Sequence, residues 1–166
     1  MFMAWCLMLS ASALADGPQS TDVSSIDAIV EASYDALSGP VGAPRQWARY
    51  LNLLDPAARL VSVSFDANTG MPTVTRLGRD EYVRVSSDYL VRSGFIDRKL
   101  GCITNRFGSI ASVRCGFEGF EASRLVERGV AFYHVYHDGK RWWILSVEWE
   151  QERPGHPIPA ELLLKR

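Results

Sequence analysis

Hydrophobic residues recur at helical spacing in three stretches before residue 93. In residues 24–39 (SSIDAIVEASYDALSG) apolar side chains repeat every three to four positions, with acidic residues on the opposite face. A serine at the start supplies an N-cap, and the Gly-Pro pair at 39–40 ends the helix. A shorter helix is predicted from Trp47 to Leu54, and a third from about residue 79 to residue 92. The third helix is expected to turn Tyr82, Val85, Ser86 and Tyr89 inward.

Alternation of apolar and polar residues predicts strands in the rest of the chain. Residues 59–66 and 72–78 form an early pair around an Asn-Thr-Gly break. From Phe95 onward the period is two, and four strands are predicted over residues 95–107, 110–120, 128–137 and 141–150. Gly108-Ser109 and Asp138-Gly139 mark tight hairpin turns. Helices followed by long antiparallel strands predict an α+β fold in which the helices pack against one concave face of the sheet.

The first hairpin sets two cysteines opposite each other. Counting outward from the Gly-Ser turn, Phe107 pairs with Ile110, and Cys102 pairs with Cys115 at a non-hydrogen-bonded position. Backbones there approach within the range that a disulfide spans. We predict a cross-strand disulfide in the exported protein, and two buried reduced thiols are the alternative.

The hairpin registers also assign the two faces of the sheet. In the first hairpin the face predicted to lie against the helices carries Leu100, Cys102, Thr104, Ala111, Val113, Cys115 and Phe117. The opposite face carries Asp97, Lys99, Asn105, Arg114 and Glu118. In the second hairpin the inner set is Val130, Phe132, His134, Tyr136, Trp143, Leu145, Val147 and Trp149. Tyr133, Trp142 and Ile144 then form an apolar outer patch, which we expect a homodimer to bury.

Composition indicates a single domain without a nucleic-acid partner. With 166 residues, of which 47% are hydrophobic, the chain suits one compact core. Its 18 Lys and Arg against 19 Asp and Glu give a net charge of -1, which lacks the basic field that nucleic-acid binding requires. Scattered histidines and two cysteines expected to pair indicate no metal site, and no cofactor is expected.

The first fifteen residues, MFMAWCLMLSASALA, have the pattern of a secretory signal peptide. They carry no charged side chain, are apolar up to Leu9 and end in Ala-Leu-Ala. The segment is shorter than the ~20 apolar residues of a membrane span. We therefore predict an exported protein, periplasmic or secreted, with no membrane association after cleavage; an apolar N-terminal helix that stays attached is the alternative. Residues 16–23 form a polar lead, 24–152 the domain, and 153–166 a Pro-rich tail packed on it.

Several stretches resemble the nuclear transport factor 2-like superfamily, in its SnoaL-like branch. The similarity is carried by the helix-first order, by DPAARLVSVS, by LGRDEY at the start of the third helix, and by DGKRWWILSVEWEQERPGHPIPAEL. It covers residue 24 to the C-terminus. The resemblance implies a cone, in which a strongly curved antiparallel sheet wraps around three helices and encloses a pocket, often with dimerisation through the outer sheet surface. It does not imply one activity, because members include isomerases, dehydratases, epoxide hydrolases, polyketide cyclases and binding or scaffold subunits.

The predicted pocket contains few side chains suited to chemistry. His134 lies on the predicted inner face and is the candidate general base, with a hydrogen-bonded core histidine as the structural alternative. Tyr34 resembles in position the helix tyrosine that isomerases of this superfamily use as an oxyanion donor. No Asp or Glu falls on the predicted inner faces, unlike in the ketosteroid isomerases; Asp66 is the possible exception. The candidate ligand-binding residues are Trp47, Arg98, Arg106, Phe132, Trp143 and Trp149, the two arginines for an anionic group at the pocket mouth.

Two functions of different classes remain open. The first is an exported protein that binds a small hydrophobic molecule in an aromatic-lined pocket and performs no chemistry. The second is a lyase or isomerase acting on a small carbonyl or hydroxy compound, with His134 as base and Tyr34 as hydrogen-bond donor. The enzyme hypothesis requires His134 and a second polar group to converge on one point of the cavity. A scaffold role through the dimer surface is a third, weaker alternative.

Overall fold

The computed structural model describes residues 19–66 and 68–163, so the predicted signal segment, residues 1–15, lies outside the described residues. In chain order the elements are α1 (Ile26–Leu37), α2 (Trp47–Leu53), β1 (Leu54–Phe65), β2 (Pro72–Gly78), α3 (Arg79–Ser93), β3 (Phe95–Phe107), β4 (Ile110–Glu121), β5 (Arg124–His137) and β6 (Trp142–Gln151). Short 3-10 turns lie at Ser20–Val23 and Ala160–Leu162. No described helix is long and apolar enough to cross a membrane.

The helices begin and end at residues suited to caps. Ser25 is the N-cap of α1, and its hydroxyl oxygen accepts a hydrogen bond from the backbone N–H of Ala28 at 3.1 Å. α3 ends at Gly94, whose φ of 64° lies in the left-handed region that favours glycine. α1 buries a continuous apolar face, whereas α3 buries Leu90 alone. Val85, predicted to face the core, is exposed because α3 packs through a narrow stripe of its surface.

The six strands form one sheet in the order β2-β1-β6-β5-β4-β3. β1 runs parallel to β6, and the other neighbouring strands are antiparallel. Residues from all three helices and from the inner face of the sheet form one hydrophobic core. The predicted α+β fold, a curved sheet wrapped around three helices, is confirmed.

Extra residues in β3, β5 and β6 move side chains from one face of the sheet to the other. β3 has one extra residue at Leu100-Gly101, β5 has one at Val126, and β6 has one at Leu145. Because side chains alternate along a strand, one extra residue reverses the face of every later side chain. A single alternation pattern therefore does not hold along these strands.

The face predicted for the second hairpin is wrong over most of its length. Tyr133, Trp142 and Ile144 are buried in the core, while Phe132 and His134 are exposed on the outer face. The turn spans residues 138–141, because the last pair is His137 with Trp142. After the bulge at Leu145 the alternation reverses, so Val147 and Trp149 lie inside as predicted.

The apolar side chains that point outward are therefore a different set from the predicted patch. Phe107, Ile110, Phe132 and Leu145 are exposed. The homodimer through the outer sheet face stays a prediction. With this register it would bury these side chains, since Tyr133, Trp142 and Ile144 already belong to the core.

The first hairpin matches the prediction near its turn and departs from it beyond the bulge. Phe107 pairs with Ile110, and Ala111, Val113, Cys115 and Phe117 of β4 are buried in the core. On the other side of the bulge the predicted faces are wrong. Leu100 points outward, whereas Asp97 and Lys99 point toward the helices, where Lys99 forms an ion pair with Glu31 of α1.

A buried arginine fixes the end of α3 against the α1–α2 connection. Arg45 is 2% exposed, and its guanidinium donates hydrogen bonds to the carbonyl oxygens of Gly39, Ala43 and Leu90. Leu90 lies in the last turn of α3, where its carbonyl oxygen also accepts a hydrogen bond from the backbone N–H of Gly94, and the C-terminal end of a helix favours a positive charge. Arg45 thereby links the C-terminal end of α3 to the segment between α1 and α2.

The C-terminal tail covers part of the outer face of β3 and β4. Ile158 and Leu162 pack with Leu100 in a second, smaller hydrophobic cluster. The absence of a side chain at Gly116 allows this contact, because a Cβ there would lie 2.7 Å from the carbonyl oxygen of Leu162. The bulge that turns Leu100 outward thus supplies the anchor for the tail.

The disulfide between Cys102 and Cys115 is confirmed. The two residues are paired across β3 and β4 with their Cα atoms 4.1 Å apart, as expected of a non-hydrogen-bonded pair. Cys115 is buried in the main core, and Cys102 lies closer to the surface. The bond therefore links the edge strand to the core next to the bulge.

We predict that replacing both cysteines with alanine lowers the free energy of unfolding by about 3 kcal/mol, because the bond closes a short loop in the unfolded chain. Urea unfolding followed by circular dichroism, with and without a thiol reductant, measures the effect. The wild type should lose this stability on reduction, and the double variant should not respond. Equal stability of the wild type in both conditions would contradict the prediction.

Candidate functional site

A cavity of about 250 Å³ lies between the three helices and the inner face of the sheet. Its polar side chains come from α1, α3, β3 and β5, and are Ser33, Tyr34, Ser86, Asp97, Glu127 and Tyr133. Its aromatic side chains surround them, and include Tyr50, Tyr82, Tyr89, Phe95, Phe117 and Trp149. A concave, mostly apolar space with a few converging polar groups is the usual form of a small-molecule site.

Two carboxyl groups reach the cavity because one row of the sheet places them there. Asp97 of β3 pairs with Gly119 of β4, which in turn pairs with Glu127 of β5. Residues paired across strands point to the same face, so both acidic side chains face inward from either side of a glycine. A Cβ on Gly119 would lie 2.7 Å from Cγ of Glu127 and 2.8 Å from the ring of Phe95. The absence of a side chain at Gly119 therefore leaves the space that Glu127 and Phe95 fill.

Burial changes the acidity of both carboxyl groups. Desolvation, with a smaller contribution from the negative charge of Glu127, raises the pKa of Asp97 to about 8. Desolvation also raises the pKa of Glu127, against a hydrogen bond at 2.8 Å that its carboxylate accepts from the side-chain amide of Gln151. Asp97 is therefore largely protonated at neutral pH, in a form that can donate a hydrogen bond.

Two fully buried polar atoms of the cavity wall have no hydrogen bond of good geometry among the described residues. They are the hydroxyl of Tyr34, a residue that is 3% exposed, and Oδ1 of Asp97. By contrast, the hydroxyl oxygens of Tyr133 and Ser33 are hydrogen-bonded at 3.2 Å. Burial, aided by nearby Tyr133 and Asp97 and by a loose hydrogen-bond contact with the hydroxyl of Tyr133, raises the pKa of Tyr34 well above 10, so its hydroxyl keeps its proton. Since buried polar groups are normally satisfied, both atoms are suited to contact a bound molecule or water.

His134, the candidate base, lies outside this cavity. Its side chain is 51% exposed on the outer face, with Nδ1 3.2 Å from Oγ of Ser146 and 3.2 Å from a carboxylate oxygen of Glu148. The predicted convergence of His134 with Tyr34 is therefore wrong. The cause is the bulge at Leu145. The prediction puts the apolar residues on both sides of the bulge on one face, whereas the bulge places them on opposite faces of the sheet. Among the described residues, no three His, Cys, Asp or Glu side chains form a possible metal site.

The predicted aromatic ligand-binding residues are divided between the two faces. Trp149 lines the cavity and Trp47 packs against the core beside Tyr50, so their roles in binding stay predictions. Trp143 and Phe132 are on the outer face, contrary to prediction. The indole N–H of Trp143 donates a hydrogen bond to Asp138 at 2.9 Å, and the guanidinium of Arg141 lies over the indole ring.

The two predicted arginines also lie away from the cavity. Arg98 points outward and forms an ion pair with Glu118, because the bulge at Leu100-Gly101 reverses its predicted side. Arg106 stacks over the ring of Trp142 near the β3–β4 turn, beside an open groove. Neither can provide positive charge to the cavity. Its acidic groups are Asp97, which is predicted on the opposite face, and Glu127, which lies outside the predicted strands.

Sequence signals for these acids exist, but they are faint. Gly101 and Gly119 lie in predicted strands, and glycine within a strand often marks a bulge or a close approach. A bulge at Gly101 would have turned Asp97 inward. Glu127 lies just before the predicted strand of residues 128–137, because β5 begins at Arg124 and not at Arg128.

Comparison with solved structures identifies the fold. The chain is similar to a candidate dehydratase of the NTF2-like family from Streptomyces avermitilis, with 18% identity and a TM-score of 0.58 over 80% of this chain and 97% of that one. It is similar to an NTF2-like protein of unknown function from Silicibacter pomeroyi, with 17% identity and a TM-score of 0.53 over 76% and 92%. It is also similar to a candidate ketosteroid isomerase from Parabacteroides distasonis, with 10% identity and a TM-score of 0.55 over 82% and 98%.

The chain has the nuclear transport factor 2-like fold, as the resemblance in sequence implied. At these identities the likeness concerns the fold and not the reaction. No protein-family model matches the chain, and no curated protein matches it. Function must therefore be argued from the cavity.

We predict that the free energy of unfolding falls as the pH rises from about 4 to about 8, by up to about 1.4 kcal/mol per pH unit. The folded-state pKa of Asp97 is raised from 3.8 to about 8, so over this range the folded protein retains a proton that the unfolded chain releases. Asp97→Asn should remove most of this dependence, because an amide does not titrate; the part that remains comes from other carboxyl groups with a raised pKa, such as Glu127. Urea unfolding at a series of pH values measures it.

Glu148→Gln provides the matched control, because Glu148 lies on the outer face of the same sheet. This variant should keep the wild-type pH dependence. An Asp97→Asn protein whose stability still falls with pH as in the wild type would show that Asp97 does not hold the proton.

Proposed function

We propose that the protein binds a small, mainly hydrophobic molecule in the cavity, oriented by Tyr34, Asp97 and Glu127. The observation that carries this proposal is the pair of buried polar atoms without a well-formed hydrogen bond among the described residues, the hydroxyl of Tyr34 and Oδ1 of Asp97, inside an aromatic wall. Leaving such groups unsatisfied costs about 1–3 kcal/mol each, and a ligand that hydrogen-bonds them offsets that cost. The aromatic wall supplies the apolar contact area.

We also propose that the protein is exported. The support is the apolar, small-residue-ending pattern of residues 1–15 together with the Cys102–Cys115 bond, which oxidising compartments favour. A small molecule outside the cytoplasm would then be the ligand.

We expect p-cresol, a small neutral aromatic alcohol, to bind saturably and to shift the indole N–H resonance of Trp149 in ¹H–¹⁵N spectra. Trp149 lines the cavity and packs edge-on against Tyr82, with ring centroids 6.3 Å apart. Trp143 is the internal control, since it lies on the outer face of the same strand and its resonance should not move.

Ala131→Leu should abolish the Trp149 shift, because residue 131 lines the cavity and the larger side chain fills it. Phe132→Leu is the matched control, since the next residue points outward. Equal responses from Trp149 and Trp143, or unchanged binding in the folded Ala131→Leu protein, would count against the cavity as the site.

A second candidate function is a proton-transfer reaction on a small carbonyl compound, with the Asp97–Glu127 pair in place of His134. Two observations favour it. The pKa of Asp97, about 8, is close to neutral pH, and the hydroxyl of Tyr34 has no well-formed hydrogen bond among the described residues. One carboxylate could remove a proton next to a carbonyl while Tyr34 donates a hydrogen bond to the carbonyl oxygen.

If this reaction occurs, the protein should convert 3-cyclohexen-1-one to its conjugated isomer, followed by ultraviolet absorbance. Asp97→Asn should lower the rate by about 10²-fold or more, the usual contribution of a positioned acid or base. His134→Ala should leave it unchanged. No conversion by the wild type, or a loss that follows His134 and not Asp97, would exclude this second function.

A further inference from the structure

We infer that the cavity selects a ligand with a compact positive charge, a small quaternary or alkyl ammonium compound, an inference that rests on the proposed binding function. The inference follows from the charge of the cavity, from the residues of its wall and from the hydroxyl of Tyr34.

The cavity contains acidic groups without basic ones. Asp97 and Glu127 face it, and no Lys, Arg or His is among the described residues that line it. Basic side chains of neighbouring segments are engaged elsewhere: Lys99 pairs with Glu31, Arg124 pairs with Glu121, and the buried guanidinium of Arg45 binds backbone carbonyl groups, including that of the cavity residue Leu90. Because a buried negative charge without a counter-ion is costly, ionisation of these acids is disfavoured in the empty cavity, and a cationic ligand supplies the missing counter-ion.

The wall suits a cation as well as an apolar body. Tyr34 and Tyr133 have ring centroids 6.1 Å apart, and Tyr50, Tyr82 and Trp149 form a second group with centroids about 6 Å apart. The electron-rich faces of Tyr and Trp attract cations, and sites for quaternary ammonium groups are commonly built from them. An anionic ligand would instead meet two acids and no basic group.

The hydroxyl of Tyr34 provides the polar contact beside the charge. It is buried, lines the cavity and has no hydrogen bond of good geometry among the described residues, its contact with the hydroxyl of Tyr133 being a loose one. Because it can donate or accept, it suits a ligand that carries a hydroxyl or carbonyl next to its ammonium group. The volume of about 250 Å³ limits the ligand to a small molecule.

Binding of a cation should be coupled to proton release. A positive charge next to the acids favours their ionised forms, so it lowers the pKa of Asp97 from about 8. The other titratable groups near Asp97 are five tyrosines and two glutamates. The tyrosines are Tyr34 of α1, Tyr50 of α2, Tyr82 and Tyr89 of α3, and Tyr133 of β5, and the glutamates are Glu121 of β4 and Glu127 of β5. The tyrosines stay protonated, since their pKa values are raised above 10. Glu121 is paired with Arg124, which leaves the Asp97–Glu127 pair to release the proton.

The test compares choline with 3,3-dimethylbutan-1-ol, which has the same shape and hydroxyl but no charge. Isothermal titration calorimetry should show choline binding at least about tenfold more tightly. Its affinity should increase from about pH 6 to about pH 8.5, with proton release revealed by buffers of different ionisation enthalpy, while the neutral alcohol shows neither effect.

Asp97→Asn combined with Glu127→Gln should bring the two affinities together, and Glu148→Gln on the outer face should leave the difference intact. If the double variant does not fold, Glu127→Gln alone should still reduce the preference. Equal or tighter binding of the neutral alcohol by the wild type would overturn the inference and leave the proposed binding function standing. Failure of choline, the neutral alcohol and p-cresol alike to bind would count against both.

Discussion

The row of paired residues Asp97, Gly119 and Glu127 is the constraint on which the site depends. Strands in a sheet are about 4.8 Å apart, so two acids in one row with a single strand between them have their backbones roughly 10 Å apart. Their side chains approach over a central residue that has no Cβ. With any larger residue at position 119, the side chain of Glu127 or the ring of Phe95 would have to move. One glycine and two extra residues, at Leu100-Gly101 and at Val126, together turn acidic side chains into an apolar interior.

The same surroundings determine what those acids can do. A carboxyl group in contact with water is ionised at neutral pH and acts as a hydrogen-bond acceptor. In this cavity Asp97 keeps its proton, and Glu127 is also harder to ionise because it is desolvated. Such a pair can hold a ligand's hydroxyl group, balance a ligand's positive charge, or move a proton. Which of these occurs depends on the ligand, because the aromatic wall is compatible with each.

The sequence predicts the fold well, since helical spacing, caps and long alternating strands are local signals. It also predicts the Cys102–Cys115 bond, because only a few residues separate these cysteines from the Gly-Ser turn that sets their register. The prediction becomes unreliable beyond a bulge. Regular alternation predicts His134 on the inner face and Asp97 on the outer face. The bulges at Leu145 and at Leu100-Gly101 interrupt that alternation, and both predicted faces are wrong. A bulge is decided by how the whole sheet bends, so a strand's own residues indicate it weakly.

The ionisation of Asp97 in the folded protein tests the account most directly. In protein labelled with ¹³C at the aspartate carboxyl carbon, with the resonance assigned by its loss in Asp97→Asn, the chemical shift of Asp97 should titrate near pH 8. A midpoint near pH 4, as for an exposed aspartate, would mean that this carboxyl group faces water and not a desolvated cavity shared with Glu127.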